Sequence, residues 1–390
     1  MPASSRLLMI DALRGFALMG LFLLHVIDYY ELFWFVPARN PLHDFLHLLV
    51  SGKAYSIFAL MFGLSFFIIM DGQAKKGVDF SKRFLWRMAL LFGLGLLHGL
   101  LFIGDILQVL SLIGIVLLVL NRLPTKALAV VGAALLFQPD LMVMLLRVIS
   151  NPEANTPPLH MQFQTLGVYA TGSLEEVITH NVTNGLQRKW IYMLESGRMT
   201  QITGLFIIGL VLGRIGFFHR PEAFNRQRRA ALAACVVAWC LLYFNETTLK
   251  HLVHSTADHR FVTHYREAIL TLYRVDLVMA MYVLGFIELY QWVKAQTVLN
   301  LLAPLGRMTL TLYVGQSLIF VPLYYGFGAG LYKHMTTPAA LGLAFAGFIA
   351  QCLFAHFWFK KYHYGPLEWL WRCGTYLSLK VPLRKYGQTS

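Results

Sequence analysis

The chain has 390 residues, of which 57% are hydrophobic and 13% are charged. Soluble domains carry about 25% charged residues, and the mean hydropathy of +0.58 leaves too little polar surface for a water-soluble domain. The net charge of +14 fits a membrane protein, because basic residues gather in cytoplasmic loops beside anionic lipid. The sequence contains no basic tract with interleaved aromatic residues, so we do not expect it to bind nucleic acid. The composition therefore predicts a protein whose main partner is the lipid bilayer.

Apolar runs of roughly 20 residues predict an all-α transmembrane bundle of about ten spans, with a range of nine to eleven. The whole chain, 1–390, is expected to form one integral membrane domain. We expect the fifth span to be kinked or to end early at Gln138-Pro139-Asp140. The expected spans are Leu8–Asp28, Leu46–Met70, Phe84–Gly104, Ile106–Leu120, Ala127–Ile149, Met199–Phe217, Ala230–Asn245, Ala268–Val293, Leu299–Tyr325 and Ala339–Phe359.

Two segments outside the spans have an amphipathic pattern. Residues 150–198 form the longest hydrophilic stretch and predict an extracytoplasmic loop that contains an amphipathic helix. Residues 366–386 mix Trp and Leu with Arg and Lys, which predicts an interfacial helix on the cytoplasmic face. With both termini in the cytoplasm, the cytoplasmic segments hold about twice as many Lys and Arg residues as the external segments. This bias predicts that orientation.

The first span carries four ionisable residues whose spacing follows the periodicity of an α-helix. Arg14 and His25 are eleven residues apart, so they lie on one helix face and about 16 Å apart along the axis. Asp11 precedes Arg14 by three residues, and Asp28 follows His25 by three, which lets each pair meet. A histidine with an orienting carboxylate is a general-base arrangement. The alternative is a helix-end ion pair together with a packed histidine.

Other polar residues also interrupt the apolar segments. His98 and Asp105 are seven residues apart, which allows a His–Asp pair, but Asp105 could equally cap the following helix. Lys53 either snorkels to the interface or contacts a substrate. Arg307 either snorkels or holds a phosphate, and Gln316 lies nine residues beyond it. Ionisable groups within spans are costly and therefore indicate candidate functional residues.

Several familiar catalytic patterns are absent. There is no phosphate-binding loop, no H-E-x-x-H, no G-x-S-x-G, and no strand pattern that would support a nucleotide fold. The four cysteines form no ligand spacing and are expected to be small buried residues. The sequence therefore predicts no metal site and no tightly bound cofactor.

Short motifs run in one order along the chain, among them Asp11–Gly15, Phe58–Gly63, His98–Leu101, Gly306–Thr311 and Gly365–Arg372. On these motifs the chain resembles the YeiB-like family of bacterial inner-membrane proteins, which is defined by a conserved domain of unknown function. Two positions depart from the family pattern. Leu312 stands where the family usually has Asn, and His25 stands where the family often has Asn.

The resemblance carries an expected activity. The YeiB-like family is grouped with membrane acyltransferases, including the type-three enzymes and the lysosomal heparan glucosaminide acetyltransferase. In the type-three enzymes an Arg-x10-His motif on the first span is required for transfer, and Arg14 and His25 have that spacing. The resemblance implies transfer from cytoplasmic acyl-CoA, the expected co-substrate, to an extracytoplasmic or lipid-linked acceptor. It also implies the cytoplasmic membrane of a bacterium.

These inferences assign roles to nine residues and leave alternatives open. A transporter or flippase for a small anionic or lipid-linked solute is one alternative, and a non-catalytic membrane subunit is another; a homodimer is also open. The expected catalytic residues are His25 and Asp28, the donor-binding residues are Arg14, Asp11, Lys53 and Arg307, and the supporting residues are His98, Asp105 and Gln316.

Overall fold

A computed structural model describes residues 3–35, 40–151, 153, 156–162, 167–245 and 260–385, and helices make up its architecture, as predicted. Within these residues the β pairing is an isolated antiparallel bridge between Tyr362 and Arg384. The α-helices in chain order are α1 Ala3–Ile27, α2 Pro41–Val50, α3 Lys53–Ala74, α4 Ser81–Gly99, α5 Leu107–Leu120, α6 Thr125–Leu136, α7 Pro139–Ser150, α8 Gly167–Thr171, α9 Leu174–His180, α10 Leu186–Glu195, α11 Arg198–Arg214, α12 Asn225–Phe244, α13 Arg260–Tyr290, α14 Val293–Leu299, α15 Ala303–Arg307, α16 Thr309–Tyr324, α17 Thr337–Lys361 and α18 Pro366–Tyr376.

The chain is multipass, with six helical segments in the described ranges that are long and apolar enough to cross a bilayer. Two further pairs of helices pass the same test together but bend by 67° and 75°, which raises the number to eight if each pair is one broken span. The sequence predicted about ten spans. Two of the predicted spans do not pass this test. Helix α4 carries three basic residues in its first two turns, and α5 has only 14 residues. The six segments are Leu8–Phe33, Pro41–Ala74, Thr125–Ser150, Pro221–Phe244, Phe261–Tyr290 and Thr337–Lys361, and the two bent pairs are Leu174–Glu195 with Arg198–Arg214 and Val293–Arg307 with Thr309–Tyr324.

The break expected at Pro139 is present. Gln138 adopts a left-handed conformation (φ 55°), and α7 begins at Pro139, where the missing proline N–H needs no helical partner. The loop expected at residues 150–198 contains helices α8, α9 and α10, apart from residues 152, 154–155 and 163–166, which lie outside the described part.

Helix α1 touches the short helix α15, and Leu302 just before it, through two glycines. A Cβ atom built on Gly306 would lie 1.7 Å from the carbonyl oxygen of Asp11, and one built on Gly15 would lie 2.2 Å from that of Leu302. Only glycine fits at either position, as at other close helix contacts in membranes. The contact holds the Asp11–Gly15 motif against the Gly306–Thr311 motif.

The tail helix α18 lies against α4 and is shorter than expected. It ends at Tyr376, and Leu377 takes a left-handed conformation (φ 50°). The Trp371 indole N–H donates to the Arg87 carbonyl at 2.9 Å, and the Trp86 indole N–H donates to the Gly374 carbonyl at 2.9 Å. The last residue of the expected segment, Tyr386, lies outside the described residues. Helix α18 therefore packs onto the side of the helical bundle at α4.

The apolar core surrounds α1. The largest buried cluster joins α1 to α3, α4, α5, α11 and α16. A second cluster, rich in aromatic side chains, lies near the end of α1 that carries His25, where Tyr30, Phe102, Tyr169 and Tyr325 are all at most 2% exposed.

Candidate active site

A cavity of about 500 Å³ lies among α1, α3, α4, α5, α15, α16 and α18. Most of its lining is apolar, with Phe, Leu, Ile and Met side chains from α3 and α4. Its charged lining residues are Asp11, Arg14, Arg87, Arg307 and Glu368. The cavity can therefore hold a molecule that combines an anionic group with an apolar chain.

Arg14 is fixed on the cavity wall by neighbours on two helices. Its Nη1 lies 3.1 Å from Asp11 Oδ1, which confirms the pair predicted from the spacing of these residues. Its Nη2 donates to the hydroxyl of Ser65 on α3. The guanidinium carries five N–H donors, so it keeps capacity for a ligand. The expected helix that carries both Arg14 and His25 is also confirmed, because α1 is continuous over both residues.

Two more guanidiniums line the same cavity. Arg307 donates to the carbonyl oxygen of His363 at 3.3 Å. Arg87 stacks on the ring of Trp371, with the guanidinium carbon Cζ 3.5 Å from the ring centroid. The buried Nε of Arg87 has no hydrogen-bond partner. Planar guanidiniums suit phosphate and carboxylate recognition. The arrangement provides three cationic groups around one mostly apolar space.

His98 and Asp105 form a deeply buried pair. His98 Nδ1 lies 2.8 Å from Asp105 Oδ1, and their side chains are 1% and 0% exposed. The other carboxylate oxygen of Asp105 accepts from the Gln108 N–H at 3.3 Å at the start of α5. Asp105 therefore both pairs with His98 and caps α5, so both roles that the sequence allowed for Asp105 are present at once. His98 Nε2 is buried and has no hydrogen-bond partner.

His25 lies beside this pair. Its ring centroid is 5.2 Å from Phe102 and 6.3 Å from Tyr313, and the His98 ring is 6.0 Å and 5.1 Å from the same two rings. The buried Nδ1 of His25 has no hydrogen-bond partner. Tyr313 also lines the cavity, so both imidazoles pack against a residue of the cavity wall.

The expected pairing of His25 with Asp28 is wrong. Asp28 Oδ1 instead lies 2.6 Å from His47 Nε2 and 3.1 Å from His43 Nε2. After α1 ends at Ile27, the backbone turns through three left-handed residues (φ 51°, 53° and 78°), and α2 brings both histidines to the carboxylate. The three left-handed residues are Tyr29, Tyr30 and Glu31.

Asp28, His43 and His47 also form a cluster in which the candidate donor atoms all lie within 4.8 Å of one another. The sequence predicted no metal site, and this group was not among the predicted site residues. The four-residue spacing of His43 and His47 on one helix was a visible signal. The third member comes from the end of another helix, which only the fold brings near.

Two of the expected site residues lie elsewhere. Lys53 is 7% exposed at the start of α3, near the guanidiniums of Arg198 and Arg274, and it does not line the cavity with Arg14 and Arg307. Gln316 Nε2 donates to Gln351 Oε1 at 2.7 Å and so joins α16 to α17. The structure therefore separates both from the arginine-lined cavity.

Three further residues near the site were not predicted from the sequence. Lys189 Nζ donates to the backbone carbonyl of Asp105 at 3.3 Å, from the stretch expected to be extracytoplasmic. Arg87 and Glu368 line the cavity and are absent from the site residues predicted from the sequence. No local pattern marks any of them, because each acts through a contact distant in sequence.

Comparisons with known proteins find two family matches and relatives that cover nearly the whole chain. Residues 6–161 match the family described as heparan-alpha-glucosaminide N-acetyltransferase, catalytic, and residues 212–378 match a family described as protein of unknown function (DUF418). The uncharacterized protein YxaH of Bacillus subtilis is 25% identical over 98% of this chain and 97% of its own length. The uncharacterized protein YeiB of Escherichia coli is 26% identical over 93% of this chain and 94% of its own length. Over nearly its whole length the chain is therefore similar to YeiB-like proteins, with its later part similar to the DUF418 family and its first part similar to the heparan-glucosaminide type of acetyltransferase.

Proposed function

We propose that this protein is a membrane acyltransferase that moves an acyl group from cytoplasmic acyl-CoA to an extracytoplasmic or lipid-linked acceptor. One observation carries the proposal: the arginine-lined cavity reaches Tyr313, and the rings of His25 and His98 pack against that residue. The match of residues 6–161 to an acetyltransferase catalytic region supports the same reaction class.

The donor would lie in the cavity. Arg14 and Arg307 would bind the phosphates or the thioester oxygen of acyl-CoA, and Arg87 adds a third cationic group. The apolar walls would receive the pantetheine arm and the acyl chain. A guanidinium aimed at the carbonyl oxygen stabilises the charge that develops there during transfer.

The base would be His98, oriented by Asp105. With the Nδ1 proton held by the carboxylate, Nε2 is free to accept a proton. An acceptor hydroxyl or amine attacks the thioester carbonyl while its proton passes to Nε2. The C–S bond then breaks, and the leaving thiolate takes the proton back from His98. His25, the second imidazole of the site, would position the acceptor, and Asp28 has no part in this step.

The proposed topology gives the reaction a direction. We place both termini in the cytoplasm of a bacterium, the chain in its cytoplasmic membrane, and α4 and α5 among about ten spans. The Asp11 end of α1 then faces the cytoplasm, where acyl-CoA is found. The His25 end faces outward, toward the stretch 150–198.

Purified protein in nanodiscs, radiolabelled acetyl-CoA and a set of amine and hydroxyl acceptors test the proposal. His98→Ala should lower the transfer rate about a hundredfold to ten-thousandfold, as loss of a general base does, while acyl-CoA binding by calorimetry stays within twofold. His219→Ala is the control, because His219 is exposed and far along the chain from the site. Wild-type protein that binds no acyl-CoA, or a fully active His98→Ala protein, would refute it.

A transporter for a small anionic solute is the second candidate. The two bent helix pairs favour it, because transporters often build substrate sites from broken helices. Uptake of labelled solute into proteoliposomes, without any chemical change of that solute, would select transport over transfer.

A further inference from the structure

We propose that Asp28, His43 and His47 form a binding site for one Zn²⁺ ion at the end of α1 opposite Arg14. The cluster contains none of the residues that we assign to acyl transfer, and the proposal does not depend on that reaction. It rests on the position of three side chains from two segments.

The geometry brings three good ligands to one point. Both Nε2 atoms lie close to the same carboxylate oxygen, at 2.6 Å and 3.1 Å. Around a tetrahedral zinc, with bonds of about 2.0–2.2 Å, donor atoms lie about 3.4 Å apart. Both distances would therefore open by less than about 1 Å when an ion enters. Rotation of three side chains is enough to provide this.

The surroundings hold the ligands in place. His43 Nε2 belongs to a side chain that is 3% exposed and stacks on the Phe33 ring at 3.8 Å between centroids. Asn40 caps α2 by accepting the N–H of His43 at 2.9 Å, and its amide donates to Thr337 at 2.8 Å. The four-residue spacing then places His47 on the same helix face. A ligand set held in this way loses little entropy when a metal binds.

The donor types select zinc over the common hard cations. Two imidazoles and one carboxylate suit Zn²⁺ and other first-row divalent ions, whereas Ca²⁺ and Mg²⁺ prefer sites made entirely of oxygen. Three protein ligands leave one tetrahedral position for water. That position would open toward His47, which at 23% is the most exposed of the three side chains.

A bound ion would join the end of α1 to α2 across the left-handed turn at Tyr29–Glu31. Three consecutive left-handed residues without glycine are strained, at about 1–3 kcal/mol each, and persist only where other contacts fix them. The zinc would provide such a contact on one side of the turn. On the other side, the phenol of Tyr29 donates to the Met335 carbonyl at 3.1 Å.

The test measures zinc directly. The full chain is purified in detergent with an affinity tag free of histidine, stripped with a chelator, and titrated with buffered Zn²⁺ alone. We expect one zinc per wild-type chain by mass spectrometry. His47→Gln and His43→Gln keep an N–H donor for Asp28 but lose the imidazole ligand. Second-shell losses already cost about 10–100-fold in metal affinity, so these variants should bind at least about a hundredfold more weakly.

The control is His219→Gln, which removes an exposed histidine outside the cluster and should bind zinc as the wild type does. X-ray absorption of zinc-loaded wild-type protein gives a measurement that needs no variant, and it should show two imidazole nitrogens and one carboxylate oxygen. Monodisperse wild-type protein that binds no zinc would overturn the proposal. So would equal zinc affinity in His47→Gln, or a zinc spectrum with fewer than two imidazoles.

Discussion

Thr311 and Glu368 join α16 to the tail helix α18 through side-chain and backbone hydrogen bonds. Glu368 Oε1 accepts from the backbone N–H groups of Leu310 and Thr311 at 2.7 Å and 3.1 Å, and its Oε2 accepts from the Thr311 hydroxyl at 2.5 Å. The Thr311 hydroxyl accepts from the Leu367 N–H at 2.9 Å. The first N–H groups of a helix have no partner inside it, so Glu368 satisfies two such groups at the start of α16.

Loss of this cap should destabilise the cavity wall. We expect Glu368→Ala to lower the free energy of unfolding by about 1–3 kcal/mol, because two partly buried N–H groups lose their acceptor. Thermal unfolding in detergent, followed by tryptophan fluorescence, measures the change. Glu175→Ala is the matched control, since Glu175 is exposed, and it should stay within about 0.5 kcal/mol. Equal midpoints for the two variants would contradict the capping role.

The same carboxyl should make stability depend on pH. Burial raises the pKa of Glu368 above its usual value, and this outweighs the hydrogen bonds that lower it. A carboxyl whose pKa is higher in the folded protein than in the unfolded chain lowers stability as pH rises between the two values. The wild type should therefore gain stability relative to Glu368→Gln as pH falls from neutral toward about 4.3. Thermal midpoints of both proteins across this range measure the effect, and a constant difference would contradict it.

The contact between α1 and α15 should not tolerate a methyl group at Gly306. Gly306→Ala places a carbon 1.7 Å from the Asp11 carbonyl oxygen, so the two backbones must separate. Overpacking costs about 1–3 kcal/mol where side chains can yield, and a backbone contact yields less. We expect a lower thermal midpoint and weaker acyl-CoA binding. Gly315→Ala on the next helix meets no atom within 4 Å and should retain both properties.

Arg14 should act on the donor. Arg14→Ala should weaken acyl-CoA binding roughly tenfold to a hundredfold, because hydrogen bonds to charged groups contribute about 1.5–3 kcal/mol. Arg14→Lys should recover only part of this, since lysine lacks the planar fork. Calorimetry with a non-hydrolysable acyl-CoA analogue measures both. Arg122→Ala, at an exposed position, is the control; if it weakens binding equally, the effect is one of general charge.

Topology can be tested without any activity. A reporter fused after Lys75 should read as cytoplasmic, and one inserted near Glu176 should read as external, because basic residues concentrate in the expected cytoplasmic segments. Phosphatase and fluorescent-protein fusions give opposite signals in the two compartments. Reversed labelling at both sites would refute the orientation.

The sequence predicts local features of this fold better than it predicts contacts between residues that are distant in sequence. Helical periodicity was enough for α1, and the three-residue spacing was enough for the Asp11–Arg14 pair, because both depend only on helix geometry. The same spacing failed for His25 and Asp28. The backbone leaves the helix at the second of these residues, and a carboxylate at a helix end can turn to a partner from elsewhere.

The site shows the same limit. The sequence left the His98–Asp105 pair undecided, because a turn after Gly99, rather than a continuous helix, brings the two side chains together. Arg87 and Glu368 reach the cavity through α4 and α18, and no spacing along the chain relates them to Arg14. Such long-range contacts depend on how helices pack, which apolar periodicity does not specify.

The glycine contact between α1 and α15 has a consequence for biogenesis. Gly15 leaves the ribosome long before Gly306, and at about 5–20 residues per second the interval is roughly 15–60 s. During that time α1 is in the membrane with its glycine face and Arg14 still lacking their final neighbours. The arginine-lined cavity therefore cannot close until most of the chain has been inserted, so a nascent protein cannot bind a ligand there before synthesis is nearly complete.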